Sequence, residues 1–195
     1  MGVSQILSKN TIAALGYEIA KLDGFLANPY RLAITASGLV PEKHPNQRLR
    51  QTIAASVLRY VPETQTTIIG AYRYYTDDWH IHAHTPELRV VQQVGAFADA
   101  SVGYRYYHQS AAFFYEKRYP APVPNTIEYV TDDPKMSAYD GHVFEAKLGI
   151  LGEEFGLDGS WGQARFEGVL EYVIQHNQFG NAVVAHVALS VPFEY

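Results

Sequence analysis

His80, His82 and His84 stand at alternate positions, flanked by Asp77, Asp78 and Glu87. In an extended chain alternate residues share a face. Three imidazoles beside carboxylates would then offer nitrogen and oxygen ligands to a divalent metal ion. These histidines are the candidate metal ligands, set against the plainer reading of a polar strand end whose ring nitrogens face water. The same Asp and His side chains could activate water for hydrolysis. Asp77 and Asp78 are adjacent, however, and adjacent strand residues point to opposite faces. Ser190 and His186 share a face four residues apart, which gives a nucleophile and a base but no orienting third group. No catalytic residue is assigned on these grounds, and the chain reads as a non-enzyme that needs no cofactor.

A larger set of ionisable residues is more informative. Arg73, Arg105, Glu145, Lys147, Arg165, Glu167 and Glu171 all fall on one phase of a period-two pattern whose other phase is apolar or glycine. Near the end of the chain Ala164, Phe166, Gly168, Leu170, Tyr172 and Ile174 alternate with Gln163, Arg165, Glu167, Val169, Glu171, Val173 and Gln175. A strand of this kind separates two very different environments. Against hydrocarbon an Arg or Lys costs about 2–4 kcal/mol at mid-depth, so in a membrane these seven residues belong in the lumen of a barrel.

The elements that must carry them are strands. The alternation recurs over 182–193, 143–150, 101–107 and 67–75, and more weakly over 11–23, 48–61 and 87–95, while residues 2–7 read as a strand fragment. The connections 8–10, 62–64 and 96–99 are short, and 24–47, 76–86 and 116–140 are long, in alternation along the chain. That rhythm is expected of a bacterial outer-membrane barrel with short periplasmic turns and longer external loops. The segment 152–161 is long for such a turn, and 176–181 is short for such a loop. No helical period, linker or low-complexity tract interrupts the pattern, so residues 1–195 are expected to form one domain.

Composition narrows the classes further. A net charge of −5 without a basic stripe argues against nucleic acid as a partner. The absence of Cys excludes disulfides and thiolate metal sites. No stretch approaches the roughly 20 apolar residues of a spanning helix. A mean hydropathy of −0.16 nonetheless suits a barrel, in which only every second residue meets lipid. The start of the chain lacks a secretory signal, which reads as a mature or trimmed N-terminus. A soluble β-sandwich or lipocalin-like barrel would share the alternation. The membrane is favoured by strands of ten residues or more, by Tyr-rich strand ends at Tyr72-Arg73-Tyr74-Tyr75 and Tyr104-Arg105-Tyr106-Tyr107, and by a terminal strand that closes on an aromatic residue.

Several runs carry a resemblance: Ser4-Gln5-Ile6-Leu7, Leu22-Asp23-Gly24-Phe25, Asn28-Pro29-Tyr30-Arg31, Tyr72-Arg73-Tyr74-Tyr75-Thr76-Asp77-Asp78-Trp79, Ala83-His84-Thr85-Pro86-Glu87, Asp133-Pro134-Lys135, Phe179-Gly180-Asn181-Ala182 and Leu189-Ser190-Val191-Pro192-Phe193. Together they resemble an uncharacterised family of Gram-negative outer-membrane barrels, a domain of unknown function, of which this chain looks like the C-terminal portion. The expectation is an all-β, antiparallel, up-and-down transmembrane β-barrel in the outer membrane. It has about eight full strands here, either closing on themselves or forming part of a larger barrel. The resemblance implies outer-membrane lipid and the barrel-assembly machinery as partners, with missing N-terminal strands or another copy completing the wall. A channel with a charged lumen is the first functional expectation. A closed scaffold acting through its loops is the second, and an outer-membrane hydrolase is a distant third.

Overall fold

The computed structural model describes residues 1–120 and 127–193. Nine strands form one antiparallel sheet: β1 (Gly2–Ser8), β2 (Thr11–Asp23), β5 (Gln47–Val61), β6 (Thr66–Asp77), β7 (His82–Val94), β8 (Ala98–Gln109), β9 (Tyr139–Leu151), β10 (Arg165–Gln175) and β11 (Ala182–Ser190). They pair strictly in chain order, β1-β2-β5-β6-β7-β8-β9-β10-β11. A small hairpin, β3 (Leu32–Thr35) with β4 (Gly38–Pro41), occupies the connection between β2 and β5.

The alternation of the sequence becomes rows across this sheet. Val57, Gly70, Leu88, Tyr104, Phe144, Tyr172 and Val183 are register partners from one strand to the next. The neighbouring row on the other face runs Ser56, Ala71, Glu87, Arg105, Val143, Val173 and Ala182. A slip of one residue in any strand would exchange its faces, so the contrast between the two rows pins the register. Among the described residues the first face stays uncovered: Val102 is 63 % exposed and Leu170 53 %. The second face is concave. Gly2 of β1 and Arg105 of β8 line one cavity, although five strand spacings would hold them about 24 Å apart in a flat sheet.

Several expectations need correction. Residues 76–86 are not a long loop: β6 continues to Asp77 and β7 begins at His82. The Asp77 carboxylate accepts the Trp79 and Ile81 N–H groups at 3.0 Å each, and His80 adopts φ 64°, so a four-residue turn suffices. The connection expected at 116–140 begins earlier, at Ser110, and β9 is already extended at Tyr139. Segment 152–161 is long because it holds a 3₁₀ turn (Gly152–Phe155) and a single helical turn (Gly159–Gly162). The last strand stops at Ser190 rather than Phe193, because Ser190 pairs with Arg165, where β10 begins. Tyr195, the terminal aromatic, lies outside the described residues. Closure of eight strands through residues 11–23 does not occur: β2 is flanked by β1 and β5, and among the described residues β1 and β11 each have one neighbour.

Among the described residues the dry cores sit at the loop end. Trp79, Ile81, Ala112 and Phe114 form one, and Ala33, Tyr119 and Val130 another. They weld residues 24–46 to residues 110–120 and 127–138 as a cap. Lys43 and Val130 exchange backbone hydrogen bonds at 3.0 and 2.8 Å. The Thr131 N–H donates to the Tyr119 hydroxyl at 2.6 Å, and that hydroxyl donates to the Phe114 carbonyl at 2.5 Å. Thr131 Oγ1 donates to Glu42 Oε1 at 2.7 Å. His44 packs against both the Trp79 and Phe114 rings, 5.4 and 5.3 Å from their centroids, with its Nε2 3.6 Å from Glu42 Oε2.

Burial pushes the His44 imidazole below its ordinary 6.5; Glu42 and Asp133 pull it up and Arg48 pushes it further down. The folded cap therefore holds a neutral imidazole, while the unfolded chain takes up the proton more readily. The contribution of His44 to stability is complete above about pH 6.5 and declines as pH falls through that value towards the folded pKa. In a Trp161→Phe background Trp79 fluorescence reports the cap alone. Its melting midpoint is expected to drop between about pH 7 and pH 5, and to stay level over that range in His44→Phe. A flat profile in the parent would refute the burial argument.

Candidate functional site

All seven ionisable residues singled out by the alternation fall on the concave face, and the structure adds Arg48, Arg50, Glu87, Arg89 and Asp99 to it. Two arginines organise it by reaching across an intervening strand. Arg89 of β7, Gly103 of β8 and Glu145 of β9 are register partners. With no side chain at Gly103, Arg89 Nε comes within 3.2 Å of Glu145 Oε1. Asp99, Gly149 and Glu167 form the next such row, over β8, β9 and β10. The Arg165 guanidinium lies over Gly149 and bonds Asp99 Oδ1 at 2.6 Å and Glu167 Oε1 at 2.8 Å. Lys147 joins the same Glu167 oxygen at 2.8 Å. Glu171 lies near Glu145, Arg89 and Arg105 in a narrow cleft. Charges on a strand face need partners on that face when bulk water is scarce, and ion pairs with shared oxygens meet that need.

Beside this ladder the concave face is open. A cavity of about 680 Å³ has a smooth floor of small residues (Gly2, Ser4, Ala14, Gly16, Ala54, Ser56, Ala71), with Arg73, Glu87 and Arg105 along one side. Under the cap a second cavity of about 580 Å³ is lined by Arg48, Arg50, Arg73 and Lys135, by Tyr75, Tyr107 and Tyr139, and by no carboxylate. Arg48 is tied to Asp77 at 2.5 Å and stacks over Trp79, its guanidinium carbon 4.2 Å from the ring centroid. Arg50 Nε donates to the Tyr75 hydroxyl at 3.1 Å. Arg73 makes no ion pair among the described residues. Positive charge and phenolic hydroxyls thus dominate the space beneath the cap.

The three candidate metal-ligating histidines do not converge. His80 sits in the turn against Phe113, with ring centroids 5.3 Å apart. His82 and His84 project from the apolar face, where His82 Nδ1 meets Tyr74 and Thr76 hydroxyls at 3.1 and 3.0 Å, and His84 Nδ1 meets Tyr72 at 2.6 Å. Asp77, one of the flanking carboxylates, is used by Arg48, Tyr75 and the turn N–H groups. Ser190 and His186 share the concave face of β11, and neither makes a hydrogen bond or ion pair through its side chain among the described residues. A different group does converge: Asp140, His142 and His176. Linear spacing hides it, because His176 arrives by strand pairing rather than by position in the chain.

Gly149 tests the ladder. A Cβ there would lie 2.2 Å from Arg165 Nη2 and 2.7 Å from Cζ, whereas a Cβ at Gly168, on the opposite face, meets nothing within 4 Å. Gly149→Val is expected to evict the guanidinium and lower unfolding stability by about 1–3 kcal/mol, with Gly168→Val close to neutral. Equal effects from the two substitutions would mean that the ladder contributes nothing.

No curated protein and no solved structure matches this chain. A family model described as "Protein of unknown function (DUF3570)" matches residues 1–166, ending at the second residue of β10. The match spans most of the sheet and the whole cap, and the chain belongs to this family of proteins of unknown function.

Proposed function

We propose that the sheet is the wall of a bacterial outer-membrane β-barrel and that its concave face lines a channel whose capped mouth favours anions. One observation carries the reading: a continuous apolar face, with Leu88 53 % and Leu148 48 % exposed, backs onto a face of arginine–carboxylate ladders. In water such a surface invites aggregation; against lipid it is the expected arrangement. Tyr72, Tyr74 and Tyr104, each bonded to a histidine near the loop end of the apolar face, suit the boundary between hydrocarbon and headgroups, where amphipathic rings belong. Unpaired strand edges in a bilayer cost several kcal/mol per unsatisfied group. The free edges of β1 and β11 therefore require further strands or another copy of the chain, and the completed barrel is wider than an eight-stranded one filled by its own side chains. The two open cavities support a lumen rather than a plugged interior. The ordered cap gives some support to a second reading, a barrel that acts through its external loops.

Two measurements separate these readings. In Leu148→Arg the charge falls on the apolar face. A bilayer-folded barrel is expected to lose about 2–4 kcal/mol, whereas an exposed leucine of a water-soluble sheet would change by about 0.5 kcal/mol or less. In planar bilayers the folded protein is expected to conduct, with a reversal potential showing anion preference in a KCl gradient. Arg50→Glu with Arg73→Glu should reduce that preference or invert it. Folded protein with no conductance above background would end the channel reading and leave the loop-scaffold reading in place.

A further inference from the structure

We propose that Asp140, His142 and His176 form a binding site for one divalent transition-metal ion of the zinc type, on the apolar side of the sheet at its loop end. The three ligand atoms lie within 4.8 Å of one another. Backbone pairing puts them there. Gly141 pairs with Gln175 and His142 with Ile174, and the His176 N–H donates to the Asp140 carbonyl at 2.9 Å, one step beyond the end of the β9–β10 ladder. Asp140 and His142 are two apart on one strand, so both project from the same face, opposite His176. Asp140 Oδ2 lies 2.7 Å from His176 Nδ1 and 3.7 Å from His142 Nε2. Ligand atoms about 2.0–2.1 Å from a tetrahedral zinc ion stand roughly 3.3 Å apart. Side-chain shifts of less than about 1 Å therefore seat the ion.

A second feature separates this trio from a casual surface contact. His142 Nδ1 lies 2.8 Å from the Tyr104 hydroxyl, whose ring stacks at 6.0 Å and 25°. With Nδ1–H donated to the Tyr104 oxygen, the Nε2 lone pair points towards Asp140. A metal at Nε2 selects that tautomer, and the Tyr104 hydroxyl then serves as the outer-shell acceptor. Two imidazoles with one carboxylate favour zinc, nickel or copper over the hard cations calcium and magnesium. Three protein ligands leave a fourth position for water or for a donor group from a neighbouring molecule.

The site does not depend on the channel reading and is tested apart from it. The untagged full chain, folded in detergent micelles, is titrated with Zn²⁺ by calorimetry at neutral pH. Co²⁺ is titrated in parallel, and its visible absorption reports the ligand geometry. Saturation at one ion per chain with an intense tetrahedral cobalt spectrum is expected. Tyr104→Phe, which removes only the outer-shell hydroxyl, should weaken binding about 10–100-fold. His142→Ala and His176→Ala should abolish it, while circular dichroism shows the sheet intact. His176 follows β10 and is exposed, so its replacement keeps the test valid should His142→Ala perturb folding. His82→Ala with His84→Ala should leave binding unchanged. No saturable binding, binding that survives His176→Ala, or binding lost with His82 and His84 would each overturn the proposal.

Discussion

Arg89, Lys147 and Arg165 on the concave face are held by carboxylates of that same face, and much of the structure follows from that pairing. An arginine on a strand has few places to put its guanidinium: straight ahead, diagonally, or across the next strand if that strand carries no side chain at the crossing. Arg89 over Gly103 and Arg165 over Gly149 take the third course. The glycines are the gaps through which charge crosses the sheet. Each bridge links three strands rather than two, so it also resists a register slip in the middle strand. The small-residue floor contributed by β1, β2, β5 and β6 does the reverse, leaving free the space that the ladder side fills.

The sheet was legible because period-two alternation is a local property. Arg165 to Gln175 announces its two faces without reference to any other strand, and all seven residues chosen on that basis share the concave face. What escaped reading depended on register or on side-chain hydrogen bonds. The turn after Asp77 looks like part of a loop in sequence, because His80-Ile81-His82 carries no turn signature; the Asp77 carboxylate makes the turn. The histidines at 80, 82 and 84 alternate in number, but the left-handed backbone at His80 breaks the alternation in space. Asp140 and His176 are 36 residues apart, and only the β9–β10 pairing makes them neighbours. Arg48 and Arg50 lay in a weaker pattern, because their strand extends beyond the central rows into the cap.

The two sides of the sheet also divide stability differently. The apolar side has no partner among the described residues, and its side chains stay largely exposed. The cap is the part that resembles an ordinary protein interior, with Val130 in one dry core, Trp79 and Phe114 in another, and Glu42 and Tyr119 hydrogen-bonded beside them. A titratable imidazole inside that interior ties its cohesion to proton concentration.

The cap has a consequence for the order in which the molecule assembles. Apart from Trp79 and Ile81 of the β6–β7 turn, its two halves leave the chain on either side of β5, β6, β7 and β8, and they meet through the mutual backbone bonds of Lys43 and Val130. Neighbouring hairpins can zip independently because their contacts are local. The halves of the cap come within reach only after all four intervening strands have adopted their curvature and register. The cap is thus a checkpoint on the wall beneath it. A chain with one strand slipped would keep nearly all its hairpins, yet would show its error as a cap that never locks.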